Sequence, residues 1–201
     1  MVKKVKLTND EMRQFAEVFA YYDYGDKEIG MVPYYPGYPD RTKLINYLVA
    51  MMSVANEYNT VYSTSDNKEG IIILTDTTHP YPALASIKMM YRMVKALGLK
   101  DFGNIIKKFQ EGGAGLEKKY RDGKKQFVQI ELLAVRKEYQ GQGFMRPLVE
   151  KAFEVADSSD LPVILSTDAE LKKDKYVHLG MEHINTRTLG EKSYMYDLVR
   201  K

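Results

Sequence analysis

The sequence predicts an α/β (α+β) fold with helices flanking a central sheet. The main evidence is that strands and helices alternate in the second half of the chain, which is typical of neighbouring parallel strands joined by helices. A second observation is a pair of strand-like runs joined by a turn at 66–70. The alternating elements are a strand over 127–135, a helix over 143–156, a strand over 162–167 and a helix over 168–179.

The first half of the chain contains further helices. Thr8 or Asn9 can cap a helix over about 10–22, and Asp40 can cap the next one, because short polar side chains satisfy the first free amides of a helix. Residues 21–40 are rich in Tyr, Pro and Gly and predict a long ordered loop. Three residues of the second helix, Leu44, Leu48 and Met52, recur at helical spacing and predict a buried face.

A third helix is predicted over 83–97, ending at Gly98. Ile87, Met90, Tyr91 and Val94 lie at helical spacing, which predicts that they face the core. With two strands on either side of 189–192 closing the chain, the whole sequence of 201 residues is predicted to form a single domain over 1–201.

Composition excludes several classes of protein. The chain has no cysteine, so it has neither disulfides nor a thiolate nucleophile. Its net charge of +3 comes from interleaved charges of both signs, and we therefore expect no nucleic-acid partner. No apolar stretch approaches the roughly 20 residues that span a bilayer, so we expect no membrane insertion and a cytoplasmic location. The three histidines lie in different elements, and no metal site is expected.

The stretch "ELLAVRKEYQGQGFM", residues 131–145, runs from a strand through a glycine turn into a helix. The first amides of a helix lack internal acceptors, and glycines let them converge on an anion, so this arrangement is suited to phosphate. A dinucleotide fingerprint would need glycine where Arg146 stands, and the Gly-Lys-Ser/Thr of a P-loop is absent. A plain tight connection is the remaining alternative.

Gln140-Gly141-Gln142-Gly143-Phe144-Met145 resembles the Q/R-x-x-G-x-G/A loop of the GNAT superfamily of acyl-CoA-dependent N-acyltransferases. The later "KYVHLGMEHI" is similar to the family's Tyr-x-x-Leu-Gly-Phe stretch, and the resemblance covers about 126–199. Met145 departs from it, since the pattern has Gly or Ala there. The resemblance implies the GNAT fold: a central mixed, mostly antiparallel sheet with two splayed parallel strands, flanked by helices.

The resemblance also implies a division of labour and a cofactor, acetyl-CoA. Residues 1–125 would supply the acceptor side, and 126–201 the acyl-CoA-binding core with a C-terminal hairpin. Backbone groups in the first splayed strand would hold the pantetheine arm, and the loop amides the pyrophosphate, with positive charge from Arg136, Lys137 and Arg146. The residues so implied are Leu133, Ala134, Val135, Gln140, Gly141, Gln142, Gly143, Phe144, Met145 and Arg146.

Acetyl transfer to an amine needs a proton acceptor for the amine and a proton donor for the departing thiolate. Glu131 is the candidate base, because strand alternation places it on the side of Phe127, Gln129 and Leu133. Water, or the substrate's own ionisation, could serve in its place. Tyr176, four residues before Gly180 as in the family pattern, is the candidate acid. A capping box at 167–170 would fix the start of its helix.

The predicted function is therefore an N-acetyltransferase that moves an acetyl or other short acyl group directly to a primary amine in a ternary complex. We expect a small-molecule amine, with a protein amine and a homodimer left open. A tyrosine cluster could line the acceptor pocket, since Tyr offers an apolar ring and a hydroxyl: Tyr21, Tyr22, Tyr24, Tyr34, Tyr35 and Tyr38. The rival prediction is a non-catalytic acyl-CoA sensor or scaffold.

Overall fold

The computed structural model describes residues 1–21, 40–189 and 194–201, and over these residues the strands form one sheet in the order β1-β2-β3-β4-β5-β7-β6. Every neighbouring pair is antiparallel except β4 and β5, which run parallel. The fold is thus the mixed, mostly antiparallel sheet that was predicted. The strands are β1 Lys3–Lys4, β2 Val61–Ser63, β3 Gly70–Asp76, β4 Val128–Val135, β5 Val163–Thr167, β6 Glu182–Thr188 and β7 Tyr194–Arg200.

Helices cover both faces of this sheet. At the start of α1, Thr8 and Glu11 form a reciprocal capping box, and the Asp40 side chain accepts a hydrogen bond from the Lys43 amide at the start of α2. Both predicted helix starts are therefore confirmed. The helices are α1 Asn9–Ala20, α2 Arg41–Glu57, α3 Ala83–Leu97, α4 Leu99–Glu111, α5 Leu116–Asp122, α6 Met145–Asp157 and α7 Glu170–His178. In the described residues, none of them is long and apolar enough to cross a membrane.

The sheet separates two main apolar cores. Leu132 and Ala134 of β4 pack with α1 and α2 on one face, while Val128 and Ile130 pack with α6 on the other. Leu44, Leu48 and Met52 of α2 are buried in the first core, as their spacing predicted. The central strand β4 therefore anchors both layers.

A β-bulge interrupts the pairing of β3 with β4. Ile73 lies opposite Leu132 and Leu74 opposite Ile130, so Glu131 is the extra residue on β4. The bulge shifts the alternation by one residue, and Leu133 then packs on the α6 side with Ile130. The prediction that Glu131 and Leu133 share a side was wrong, because simple alternation does not hold across a bulge.

The parallel pair β4 and β5 is joined over only a short distance. Its ladder contains two pairs, Val128 with Val163 and Gln129 with Ile164. Beyond them the strands diverge, so the edge of β4 that faces β5 has no ladder partner from Ile130 onward. The gap thus opens beside the bulged Glu131, which matches the predicted splay of two parallel strands.

Along the chain, α3, α4 and α5 come between β3 and β4, although these two strands are antiparallel neighbours in the sheet. On α3, Ile87 is 65% exposed, Met90 51% and Tyr91 65%, so the prediction that they face the core was wrong. The buried residues of this helix are Ala85 and Leu97, and α3 packs against α2. Helical spacing identified an apolar face but not the face that packs.

Candidate active site

A cavity of about 520 Å³ lies beside the carboxyl end of β4, past the last residue pair that joins β4 to β5. Its walls come from α1, the carboxyl end of β4, the loop before α6, and α7. Leu133, Ala134 and Val135 line it from β4, while Lys172 and Tyr176 line it from α7. The loop contributes further lining residues, namely Gln140, Gly141, Gly143, Phe144, Met145 and Arg146.

The loop between β4 and α6 presents a row of backbone amides to this cavity. Gly141 and Gly143 have φ angles of 77° and 85°, the left-handed region that glycine adopts without strain. A Cβ at either position would have no heavy atom within 4 Å, so it would project into open space. Among the described residues, the amides of 141–145 donate no backbone hydrogen bond, whereas the Arg146 amide donates to the Gly143 carbonyl. The cradle of amides, as we call residues 141–145, is open to an anion.

Two glutamine side chains brace this loop from behind. Gln140 Nε2 donates to the Val135 carbonyl at 3.0 Å, and Gln142 Nε2 donates to the Glu138 carbonyl at 2.8 Å. The helix itself begins at Met145, two residues later than the predicted start at Gly143. Both glycines therefore belong to the turn, where their positive φ angles are needed.

The side chains around the cradle differ in whether they line the cavity or pack elsewhere. Met145 is partly buried against the core beneath α6 and also lines the cavity. Arg146 lines the cavity and can supply positive charge. Arg136 lies instead over the Phe15 ring, 5.2 Å from its centroid and 4.0 Å from Glu11, and so contacts α1.

Tyr176 reaches the cavity from the middle of α7. Its side chain is buried in the core beneath α6, and burial, followed by the nearby charge of Asp168, raises its pKa far above the usual range. The predicted capping box at 167–170 is absent: α7 begins at Glu170, and its N-cap residue, Ala169, has no side-chain oxygen. Asp168, the residue before this N-cap, instead accepts a hydrogen bond from a lysine of α7.

That lysine is Lys172, which the sequence analysis missed. Its Nζ donates to Asp168 Oδ1 at 2.7 Å, and the two side chains are only 19% and 10% exposed. Lys172 also lies over the Phe19 ring, 5.4 Å from its centroid, and lines the cavity. The available signal was the spacing of Asp168, Lys172 and Tyr176 at i, i+4 and i+8, which places the three on one side of a helix.

Glu131 lies at the bulge but is not among the residues that line this cavity. Its Oε1 accepts from Thr75 Oγ1 at 2.9 Å and its Oε2 from Gln129 Nε2 at 3.3 Å. Burial, reinforced by the charge of Glu117, raises the pKa of Glu131 to about 7. Burial, followed by the negative charge of Glu131, raises the pKa of Tyr47 to about 12. Glu131 therefore faces α2 and α5 on the opposite side of the sheet from α6.

A buried ion pair lies on the far side of the gap. Arg187 of β6 donates to both oxygens of Asp197 on β7, with its Nη2 3.0 Å from Oδ1, and the two side chains are almost fully buried. Ser166 of β5 adds a hydrogen bond of 2.6 Å to the same carboxylate. This network ties β5 to the C-terminal hairpin and so fixes the second of the two splayed strands.

Most of the predicted acceptor-side tyrosines lie outside the described residues: Tyr22, Tyr24, Tyr34, Tyr35 and Tyr38. Tyr21 is described, and the Arg41 guanidinium lies 4.1 Å from its ring centroid. Among the described residues there is no group of three or more His, Cys, Asp or Glu side chains that could hold a metal ion.

Comparison with known families gives a direct match. Residues 103–177 match the model of the Acetyltransferase (GNAT) family, a segment that includes β4, the cradle, α6, β5 and most of α7. No curated protein sequence matches the chain. The family match therefore covers most of the residues that form the cavity but not those of α1.

Solved structures share the fold over the whole chain. An N-acetyltransferase from Staphylococcus aureus Mu50 is 16% identical, with full coverage of both chains and a TM-score of 0.57. A polyamine N-acetyltransferase from Drosophila melanogaster is 10% identical, covers 100% of this chain and 99% of its own, and has a TM-score of 0.55. Arylalkylamine N-acetyltransferase 2 from Aedes aegypti is 12% identical, with coverages of 99% and 98% and a TM-score of 0.58.

At these identities the structural likeness shows the fold alone. The family match adds that residues 103–177, fewer than half of the chain, are similar to the GNAT acetyltransferase family.

Proposed function

We propose that this protein transfers an acetyl group from acetyl-CoA directly to a primary amine, with both substrates bound together. The observation that carries the proposal is the cavity beside the carboxyl end of β4. One wall is the part of β4 that has no ladder partner on the β5 side, and the cradle of amides lies at one end. An elongated donor with a peptide-like arm and a diphosphate needs both features.

The residues present fit such a donor. The edge of β4 over Leu133, Ala134 and Val135 can hydrogen-bond to the amides of a pantetheine arm, as a further strand would. The amides of Gly141 to Met145, at the N-terminus of α6, can bind a diphosphate, and Arg146 adds charge. Acetyl-CoA would supply an activated thioester, so the enzyme need form no covalent intermediate.

Acceptance of the amine proton and stabilisation of the departing sulfur would then be carried out by residues on opposite sides of the sheet. Glu131, with a pKa raised to about 7, can accept the proton that the amine must lose, directly or through water. A backbone amide near Leu133 or Ala134 can stabilise the charge that develops on the carbonyl oxygen. Tyr176 can hydrogen-bond to the departing sulfur from α7.

We expect a small-molecule amine as acceptor. The polyamine and arylalkylamine N-acetyltransferases that share this fold act on such amines, which supports the expectation. Tyr47 and Tyr81 lie near Glu131 and could pack against the acceptor, since a cation can rest on a tyrosine ring.

Three measurements test the proposal. Titration calorimetry with acetyl-CoA should give a saturable signal, and thiol release over a panel of diamines, arylalkylamines and lysine peptides should identify an acceptor. Mass spectrometry of the product should show one acetyl group on a nitrogen. Binding without turnover on any amine would favour the acyl-CoA sensor instead, and the absence of binding would contradict both hypotheses.

A further inference from the structure

The Asp168–Lys172 pair lies beside Tyr176 at the wall of the cavity, where it could take part in the reaction. Both side chains are largely buried, and they contact one another at 2.7 Å beside Tyr176. A buried ion pair contributes little net stability, because desolvation offsets most of the attraction. The pair is therefore poorly explained as a stabilising feature, whereas Lys172 also lines the cavity that would hold the donor.

Tyr176 alone is poorly matched to protonating a thiolate. Burial and the charge of Asp168 both raise the pKa of its hydroxyl, whereas an ordinary thiol has a pKa of about 8.5. Proton transfer from so weak an acid to sulfur would be uphill. A second donor or a positive charge nearby would resolve the mismatch.

Lys172 has the required placement. It lies one helical turn before Tyr176 on the same side of α7, and its ammonium group is held between Asp168 and the Phe19 ring. Burial lowers the pKa of this lysine, with a smaller contribution from the charge of Lys175, while the contact with Asp168 favours the charged form. An ammonium group in such a site is a stronger acid than one in water.

We propose that Lys172, positioned by Asp168, stabilises and protonates the sulfur that leaves during acetyl transfer. This inference rests on the proposed function. In the step, the acceptor nitrogen bonds to the acetyl carbon, and the carbon–sulfur bond breaks with its electron pair remaining on sulfur. The Lys172 Nζ proton passes to that sulfur, and the proton lost by the acceptor nitrogen passes through Glu131 to solvent. The products are the amide and the free thiol, and Lys172 regains its proton from solvent.

The direct test needs no turnover, because it measures the ionisation of the thiol of bound CoA. A pH titration of CoA bound to the wild-type protein, followed by thiolate ultraviolet absorbance, should give a thiol pKa below that of free CoA. In Lys172→Met the bound-thiol pKa should rise by about one unit or more, equivalent to a tenfold loss of thiolate stabilisation. The double variant Asp168→Asn/Lys172→Met leaves no lone buried charge and should show the same rise if the single variant folds poorly.

Lys173→Met is the matched control. Lys173 is the neighbouring residue on α7, bonds to Glu170 and Asp174, and is not among the cavity-lining residues. The Lys173→Met substitution should leave the pKa of the bound CoA thiol unchanged. Equal pKa values in wild type and both Lys172 variants would overturn the proposal, as would a rise seen only in Tyr176→Phe.

Kinetics then separates this inference from the proposed function. With an acceptor in hand, Lys172→Met should lower kcat by about 100-fold while the KM for acetyl-CoA changes by no more than about threefold. Lys172→Arg should recover part of kcat, since it restores the charge but is a far weaker acid. A wild-type protein that binds CoA but acetylates no amine would contradict the proposed function alone, and the thiol titration would still decide the role of Lys172.

Discussion

Glu131 shows how a single residue acquires unusual properties from its backbone position. As the extra residue of a bulge, it lies where the β4–β5 ladder ends, and its carboxylate is held by Thr75 and Gln129. The Gln129 Oε1 atom is buried without a hydrogen-bond partner. If the Gln129 amide rotated by half a turn, that oxygen could accept a proton from a neutral Glu131. The site can therefore accommodate both protonation states.

The substitution Glu131→Gln should stabilise the protein at high pH. Because the folded pKa of about 7 exceeds the ordinary 4.5, the folded state binds the extra proton between these values, and stability falls as pH rises through that window. A neutral amide avoids this cost. We expect the free energy of unfolding to rise by about 2 kcal/mol at pH 8 and to change little at pH 5.

Urea unfolding of wild type and Glu131→Gln at both pH values measures this difference. A variant that is destabilised equally at pH 5 and pH 8 would show that the carboxylate is not strained by burial. If Glu131 is also the base, the same variant should lose the rise of kcat with pH near 7, whereas an unmoved profile would indicate water or the substrate as the base.

At single residues, local sequence patterns predict some features of this site, whereas tertiary packing decides others. Glu131 was predicted from strand alternation, and Tyr176 from the resemblance of its surroundings to the family's Tyr-x-x-Leu-Gly-Phe stretch. The bulge could not be foreseen, since one extra residue leaves no mark in the pattern of β4. Lys172 was overlooked because a lysine on a charged helix ordinarily faces solvent, and only the packing of α1 against α7 shows it to be buried.

At the scale of elements, the short segment from β4 to α6 is the most informative. Its two positive-φ glycines, its two bracing glutamines and its open amides all arise from adjacent residues, so the sequence alone predicted it well. The face of α3 was predicted wrongly, because which side of a helix packs depends on a partner distant in sequence. The glycine turn could be predicted from adjacent residues, whereas the packed face of α3 depends on contacts distant in sequence.

The cradle gives a prediction that separates binding from stability. Gly143→Val should weaken CoA binding at least about tenfold, because a β-branched residue strains the positive φ angle and projects into the space in front of the amides. Gly103→Ala in α4 is the control: it lies in a helix with open space around it, and should stabilise the protein by about 0.5–1 kcal/mol without affecting binding.

Calorimetry with CoA and thermal unfolding of both variants provide the data. CoA affinity preserved in a folded Gly143→Val protein would show that the cradle does not hold the diphosphate.

At the scale of the whole molecule, the sheet is held together on both sides of its gap. On one side β4 pairs with β3 along its length, and on the other β5 pairs with β7, which is tied to β6 by the Arg187–Asp197 pair. In the described residues, the β1–β4 part of the sheet is joined to the β5–β7 part by two ladder pairs between β4 and β5. The gap can stay open because each strand is anchored by its own outer partner.

Breaking the buried pair should therefore be costly. Arg187→Met leaves the Asp197 carboxylate buried with only Ser166 and Asn185 as partners, and should lower the free energy of unfolding by about 3–5 kcal/mol. Arg187→Met/Asp197→Leu removes both charges and should be clearly more stable than the single variant. Urea unfolding of the two proteins checks this, and equal losses would contradict the assignment of the cost to an unpaired charge.

The most direct test of the account is amide hydrogen exchange with and without CoA. The central claim is that the edge of β4 and the open amides of 141–145 together hold the donor. In the free protein the amides of 141–145, and those amides of 133–135 that point away from β3, should exchange fast, and CoA should slow exchange selectively at these positions. Saturating CoA that leaves the exchange of both segments unchanged, while protecting another surface, would contradict the claim.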